Sequence, residues 1–73
     1  MQDDVFIKEL GKHIDKLRIE RNLSYKQMAD KCGMDKAQVY KICTKGVDLR
    51  ATSLSKIAKG LQITLPSILY FND

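Results

Sequence analysis

The chain of 73 residues predicts a compact all-α domain of five short helices, with a helix-turn-helix formed by the second and third. Three observations lead there. Apolar residues recur at intervals of three and four in each candidate segment, as one face of a helix requires. Glycine, asparagine and a single proline punctuate the ends of those segments. No stretch alternates apolar and polar residues as a half-buried strand would.

The first helix is expected over 4–22, after a loose end at 1–3, with Asp3 or Asp4 as its cap. Phe6, Leu10, Ile14 and Leu17 share one face, and Lys8, Lys12, Asp15, Lys16 and Glu20 lie on others. His13 falls among the polar positions and reads as a surface residue, with no second histidine beside it. Asn22 suits a left-handed stop, after which Leu23 packs inward. The second helix is expected over 24–32. Ser24 caps it, Gln27 completes a capping box, and Met28, Ala29 and Cys32 face the core. Gly33 ends it in a left-handed turn. The third is expected over 35–44, opened by Asp35 with Gln38 at the third position; Val39 and Ile42 form its inner stripe, with Cys43 beside them. Gly46 stops it. A loop from Lys45 to Ala51 follows, anchored by Val47 and Leu49. The fourth helix is expected over 51–61, with Leu54, Ile57, Ala58 and Leu61 inward and Gly60 weakening it slightly. The fifth is expected over 65–71, with Thr64 as cap and Pro66 in its first turn, where a missing N–H does no harm.

Composition narrows the class of function. Apolar residues make up 44% of the chain and charged ones 30%, the balance of a folded domain and not of a disordered one. One domain spanning 1–73 is expected, and so small a body is marginal alone. The net charge is +4. It is unevenly placed: Arg21, Lys26, Lys31, Lys36, Lys41, Lys45 and Arg50 face only Asp30, Asp35 and Asp48 over residues 21–50, so this segment holds the whole excess. Cys32 and Cys43 fall on inward positions without a CxxC and read as small buried hydrophobes. No metal or cofactor is implied. Nothing resembles a nucleophile–base pair, a carboxylate pair or a phosphate loop, so an enzyme is not expected. No stretch has the length of a signal or a membrane span, and the expected address is the cytoplasm, in association with the nucleoid.

The outward residues of the third helix are Lys36, Ala37, Gln38, Tyr40, Lys41 and Thr44. None is acidic and two are basic, which suits a helix that enters the major groove of DNA. Tyr25, Lys26 and Gln27 open the second helix, where backbone N–H groups can hold a phosphate. Lys45 and Arg50 are candidates for the backbone of the other strand.

Leu10-Gly11, Ile14, Leu17-Arg18, Asn22-Leu23-Ser24, Met28-Ala29, Gly33-Met34-Asp35, Val39, Ile42, Leu54, Ile57-Ala58 and Leu61 resemble the lambda-repressor-like (Xre/Cro-type) helix-turn-helix family over about residues 10–70. The resemblance implies a five-helix DNA-binding domain that binds operator DNA as a dimer, as bacterial and phage repressors, controller proteins and antitoxins do. It also implies base contacts from Lys36, Ala37 and Lys41, flanked by Gln38 and Tyr40. The chain departs from the family in four places. Tyr25 stands where many members have glutamine. Cys43 stands where many have a glutamate paired with the arginine at the Arg18 position. Gly46 is displaced by one residue, and Leu49 replaces a common proline.

A single reader helix makes few base contacts, each supplying about 1–3 kcal/mol of discrimination. A homodimer is therefore expected, placing two reader helices about 34 Å apart on a pseudo-palindromic operator. Leu65, Ile68, Tyr70 and Phe71, crowded at the C-terminal end, are its expected interface. The expected function is sequence-specific regulation of transcription, repression in the first place, with no membrane or small-molecule partner. The alternative is a protein-interaction module, such as the antitoxin half of a toxin–antitoxin pair.

Overall fold

The computed structural model describes residues 2–70, and their side chains from Asp4 onward. The helices are α1 (Gln2–Glu20), α2 (Tyr25–Cys32), α3 (Lys36–Lys45), α4 (Ala51–Leu61) and α5 (Leu65–Leu69), and the described residues contain no strand. Their main contacts close a ring. α1 packs on α3, α3 on α2, α2 on α4, α4 on α5, and α5 back on α1. Every helix sends residues into the space enclosed: Leu10 and Ile14, then Met28, Ala29 and Cys32, then Val39, Ile42 and Cys43, then Ile57, Ala58 and Leu61, and lastly Ile68. Each fully buried isoleucine contributes roughly 1.5–3 kcal/mol over leaving it in water. The inward stripes of α2 and α3 are those their spacing predicts; α4 buries Ile57, Ala58 and Leu61, with Leu54 half buried against them.

Two glycines let the ring close tightly. A Cβ on Gly11 would strike the carbonyl oxygen of Ile42 and lie 3.3 Å from the Cα of Gly46, so α1 meets the end of α3 backbone to backbone. A Cβ on Gly60 would lie 2.5 Å from the Cys32 Sγ and 2.8 Å from the Lys31 carbonyl oxygen, so α4 crosses the end of α2 just as closely. Gly60 therefore answers a packing demand, and the small loss of helix propensity expected of it is secondary.

Several local expectations need correction. α1 starts at Gln2, which puts Asp3 and Asp4 within its first turn and not at its cap. Phe6 is half exposed and lies at the edge of the core rather than in it. Asp35 and Thr64 occupy the N-cap positions of α3 and α5 in extended backbone, but neither makes a side-chain capping bond. Thr64 instead meets the Ser67 hydroxyl at 2.9 Å. His13 is half buried, and its Nε2 donates to the Ser67 carbonyl at 2.8 Å, fastening α5 to α1. Ile68, expected in an interface, is fully buried in the core because it is the one residue of the short α5 aimed between α1 and α4. α5 stops at Leu69, and Phe71 lies outside the described residues.

Candidate nucleic-acid interface

The geometry of the helix-turn-helix starts at its caps. The Ser24 hydroxyl accepts from the Gln27 N–H at 3.0 Å, and the Gln27 Oε1 accepts from the Ser24 N–H at 2.8 Å. This is the reciprocal box the sequence predicts. Gly33 sits at φ 66°, its N–H bonded to the Ala29 carbonyl, and the Met34 N–H reaches the same carbonyl at 2.9 Å. Three residues, Gly33 to Asp35, then carry the chain into α3.

Burial of Val39, Ile42 and Cys43 fixes how α3 is turned about its axis. Lys36, Ala37, Gln38, Tyr40, Lys41, Thr44 and Lys45 consequently lie exposed. Lys36, Ala37, Tyr40, Lys41 and Lys45 surround one shallow depression of about 380 Å³, lined chiefly by carbon. Lys45 thus belongs with the outer face of α3, while Arg50 holds the N-cap position of α4. The Gln38 amide is exposed, and the Asp35 side chain takes no part in capping the helix. Thr44 turns its hydroxyl back to donate to the Tyr40 carbonyl at 2.7 Å.

Behind this face lies a group of side chains that joins α1 to α2. The Arg18 guanidinium takes the Asp15 carboxylate at 2.8 and 2.9 Å and donates to the Leu23 carbonyl at 2.6 Å. It also lies 4.2 Å over the centre of the Tyr25 ring. Burial works against its charge, but the Asp15 carboxylate outweighs that, and Arg18 holds its proton more firmly than usual. Asp15, one turn back along α1, thus replaces the glutamate absent at Cys43. Cys43 faces the same pair. Burial first, then the Asp15 charge, pushes its thiol up to about 12. Burial likewise raises the Cys32 thiol. Both cysteines are buried and reduced, packing as small hydrophobes.

Tyr25 is half buried, and its ring meets that of Tyr40 edge to face, centroids 5.2 Å apart at 84°. The outer face of α3 and the start of α2 are therefore in direct contact. Lys26 is exposed, 3.5 Å from Asp30, and the Gln27 side chain is engaged in the cap. Leu65 and Tyr70 are exposed on and after α5. A crevice of about 230 Å³ is bordered by Phe6, Ile7, Leu10, Asp48, Leu49, Leu54 and Leu69. Sequence reasoning missed the Asp15–Arg18 pair, although their i, i+3 spacing signals it. It also missed the Tyr25–Tyr40 contact, for which no spacing rule exists between separate helices.

The fold and this face define a helix-turn-helix domain whose second motif helix is presented outward. A family model described as helix-turn-helix matches residues 14–68, and the chain belongs to that family, the lambda-repressor-like helix-turn-helix domains of DNA-binding transcription regulators. No curated protein sequence matches the chain. Among the described residues, no helix is long and apolar enough to cross a membrane.

Proposed function

We propose that residues 1–73 act as one DNA-binding unit that represses transcription as a homodimer on a pseudo-palindromic operator. The observation that carries this reading is the outer face of α3. It sets three lysines around a carbon-lined depression and exposes no carboxylate between Lys36 and Lys45. In this reading Lys36 and Lys41 donate to guanine O6 and N7, Gln38 meets an adenine edge, and Ala37 and Tyr40 make carbon contacts. The free N–H groups of Tyr25 and Lys26, together with Lys26, Lys45 and Arg50, hold phosphates. Gln27 acts indirectly, by keeping the start of α2 in shape.

The dimer face in this reading is Leu65 and Tyr70 with the crevice bordered by Phe6 and Leu69. Ile68 supports it from within the core. Bound fragments selected from random duplex DNA should share two inverted half-sites about one helical turn apart. Affinity should fall steeply as salt is raised, since lysine contacts to phosphate release counterions. Absence of any enriched site, or binding indifferent to salt, would overturn the DNA reading. Sedimentation showing only monomer at every concentration, with no cooperativity on the operator, would overturn the dimer.

A further inference from the structure

We propose that Tyr40 and Ala37 form a seat for the 5-methyl group of one thymine in each half-site, and that Tyr25 and Arg18 are positioning residues that hold Tyr40 in place. This rests on the DNA reading above and names the specificity within it. The depression on α3 is lined chiefly by carbon, and Ala37 and Tyr40 share its lining with Lys36, Lys41 and Lys45. In the major groove, thymine alone presents a methyl group, while the other bases offer only donors and acceptors. A carbon-lined depression that carries lysines among its lining residues therefore matches a thymine methyl close to phosphates. Lys36 and Lys41 discriminate at guanine edges, and the carbon lining adds discrimination at one thymine.

The aromatic stack explains why Tyr40 can serve. An exposed tyrosine ordinarily loses rotamer freedom when it binds. Here the ring is braced against Tyr25, edge to face at 5.2 Å, and Tyr25 is held from above by the Arg18 guanidinium at 4.2 Å. Arg18 is in turn fixed by Asp15 and by the Leu23 carbonyl. The seat is thus ordered before DNA arrives, through a chain of contacts that runs from α1 through α2 to α3.

Deoxyuridine substitution tests this directly, because it removes the methyl and nothing else. Each thymine of one half-site of a selected operator is replaced in turn, and binding to the unaltered protein is measured by fluorescence anisotropy. One position should weaken binding about fourfold, the worth of burying one methyl group. That ratio should vanish in Tyr40→Ser and shrink in Tyr25→Leu. Tyr25→Phe, which keeps the ring, should preserve the ratio whatever it does to overall affinity. If every uracil substitution is neutral while the operator is still bound specifically, the methyl seat is wrong and the DNA reading stands. If no DNA is bound specifically, both fall. A full methyl effect in Tyr25→Leu overturns the positioning role.

Discussion

Replacing Arg18 by alanine should cost this small domain much of its stability. The side chain is 14% exposed and its partner Asp15 26%. Its loss removes the carboxylate contact, the bond to the Leu23 carbonyl and the stack on Tyr25. A hydrogen bond to a charged group contributes about 1.5–3 kcal/mol, and a partly exposed cation–π contact about 1 kcal/mol. These terms overlap, since one guanidinium makes all of them, and about 2–3 kcal/mol is the expected total. Against a typical stability of about 5–15 kcal/mol, that is a large share. For a chain of this length it lowers the melting temperature by roughly 10–20 °C. Urea unfolding followed by far-UV circular dichroism measures it. The Lys12–Glu9 pair is the internal control. It spans 3.6 Å with side chains 75% and 51% exposed, so Glu9→Ala should change stability by less than about 0.5 kcal/mol. Arg18→Lys should recover little, because an ammonium cannot reach carboxylate, carbonyl and ring together. An Arg18→Ala protein within about 0.5 kcal/mol of the parent would refute the reasoning.

Lys36→Ala and Lys41→Ala should each weaken operator binding by roughly 1–3 kcal/mol with an unchanged circular dichroism spectrum, as anisotropy and spectroscopy on the same samples would check. Gly60→Ala should destabilise by about 1–3 kcal/mol in urea, because the added methyl meets Cys32 and backbone, which outweighs the gain of about 1 kcal/mol in helix propensity. Cys43, with its thiol pushed up to about 12 by burial and the Asp15 charge, should resist alkylation at pH 8 in the folded protein and react once unfolded. The sign for stability follows: from about 9.0 upward the unfolded thiol ionises while the folded one does not, so its contribution is intact below that pH and is lost towards about 12. Asp15→Ala should destabilise, and Cys43→Glu added to it should restore part of the loss by offering Arg18 a carboxylate from α3; an additive or worse double variant in thermal melts would count against the shared role.

Much of the fold was legible because its signals are local. The capping box at Ser24, the left-handed Gly33 and Asn22, and the three-and-four spacing of Met28, Ala29, Cys32, Val39 and Ile42 each act within a few residues. Where the outcome depended on which helix lies across which, the reading failed. The spacing of Phe6 extends the stripe of α1, yet Phe6 stays half exposed at the edge of the core, bordering a crevice with Leu49, Leu54 and Leu69. Gly60 looks like a weak helix former until α2 is laid 2.8 Å from where its Cβ would be. Ile68 and Tyr70 are near neighbours in an apolar run, but five residues of helix aim one fully inward and leave the other exposed. The outward face of α3 was legible for the same local reason as its core stripe: on a helix, burying one side declares the other.

Two of this chain's departures from its family, at Tyr25 and Cys43, are coupled through Arg18. With cysteine at position 43, an arginine paired across to α3 would lose its acceptor in a half-buried place, at a cost of several kcal/mol. Asp15 supplies the acceptor from α1 itself, and the remaining donor of the fork closes on the Leu23 carbonyl, one residue before the α2 cap. The guanidinium plane is then free to lie on a ring at the first position of α2, which is where tyrosine replaces glutamine. That ring reaches Tyr40, a residue of the outward face. A pair whose first effect is to hold the turn between α1 and α2 therefore also sets an aromatic side chain on α3. Substitutions at Asp15, Arg18 or Tyr25 should for this reason alter what α3 presents, and not only how firmly the domain folds.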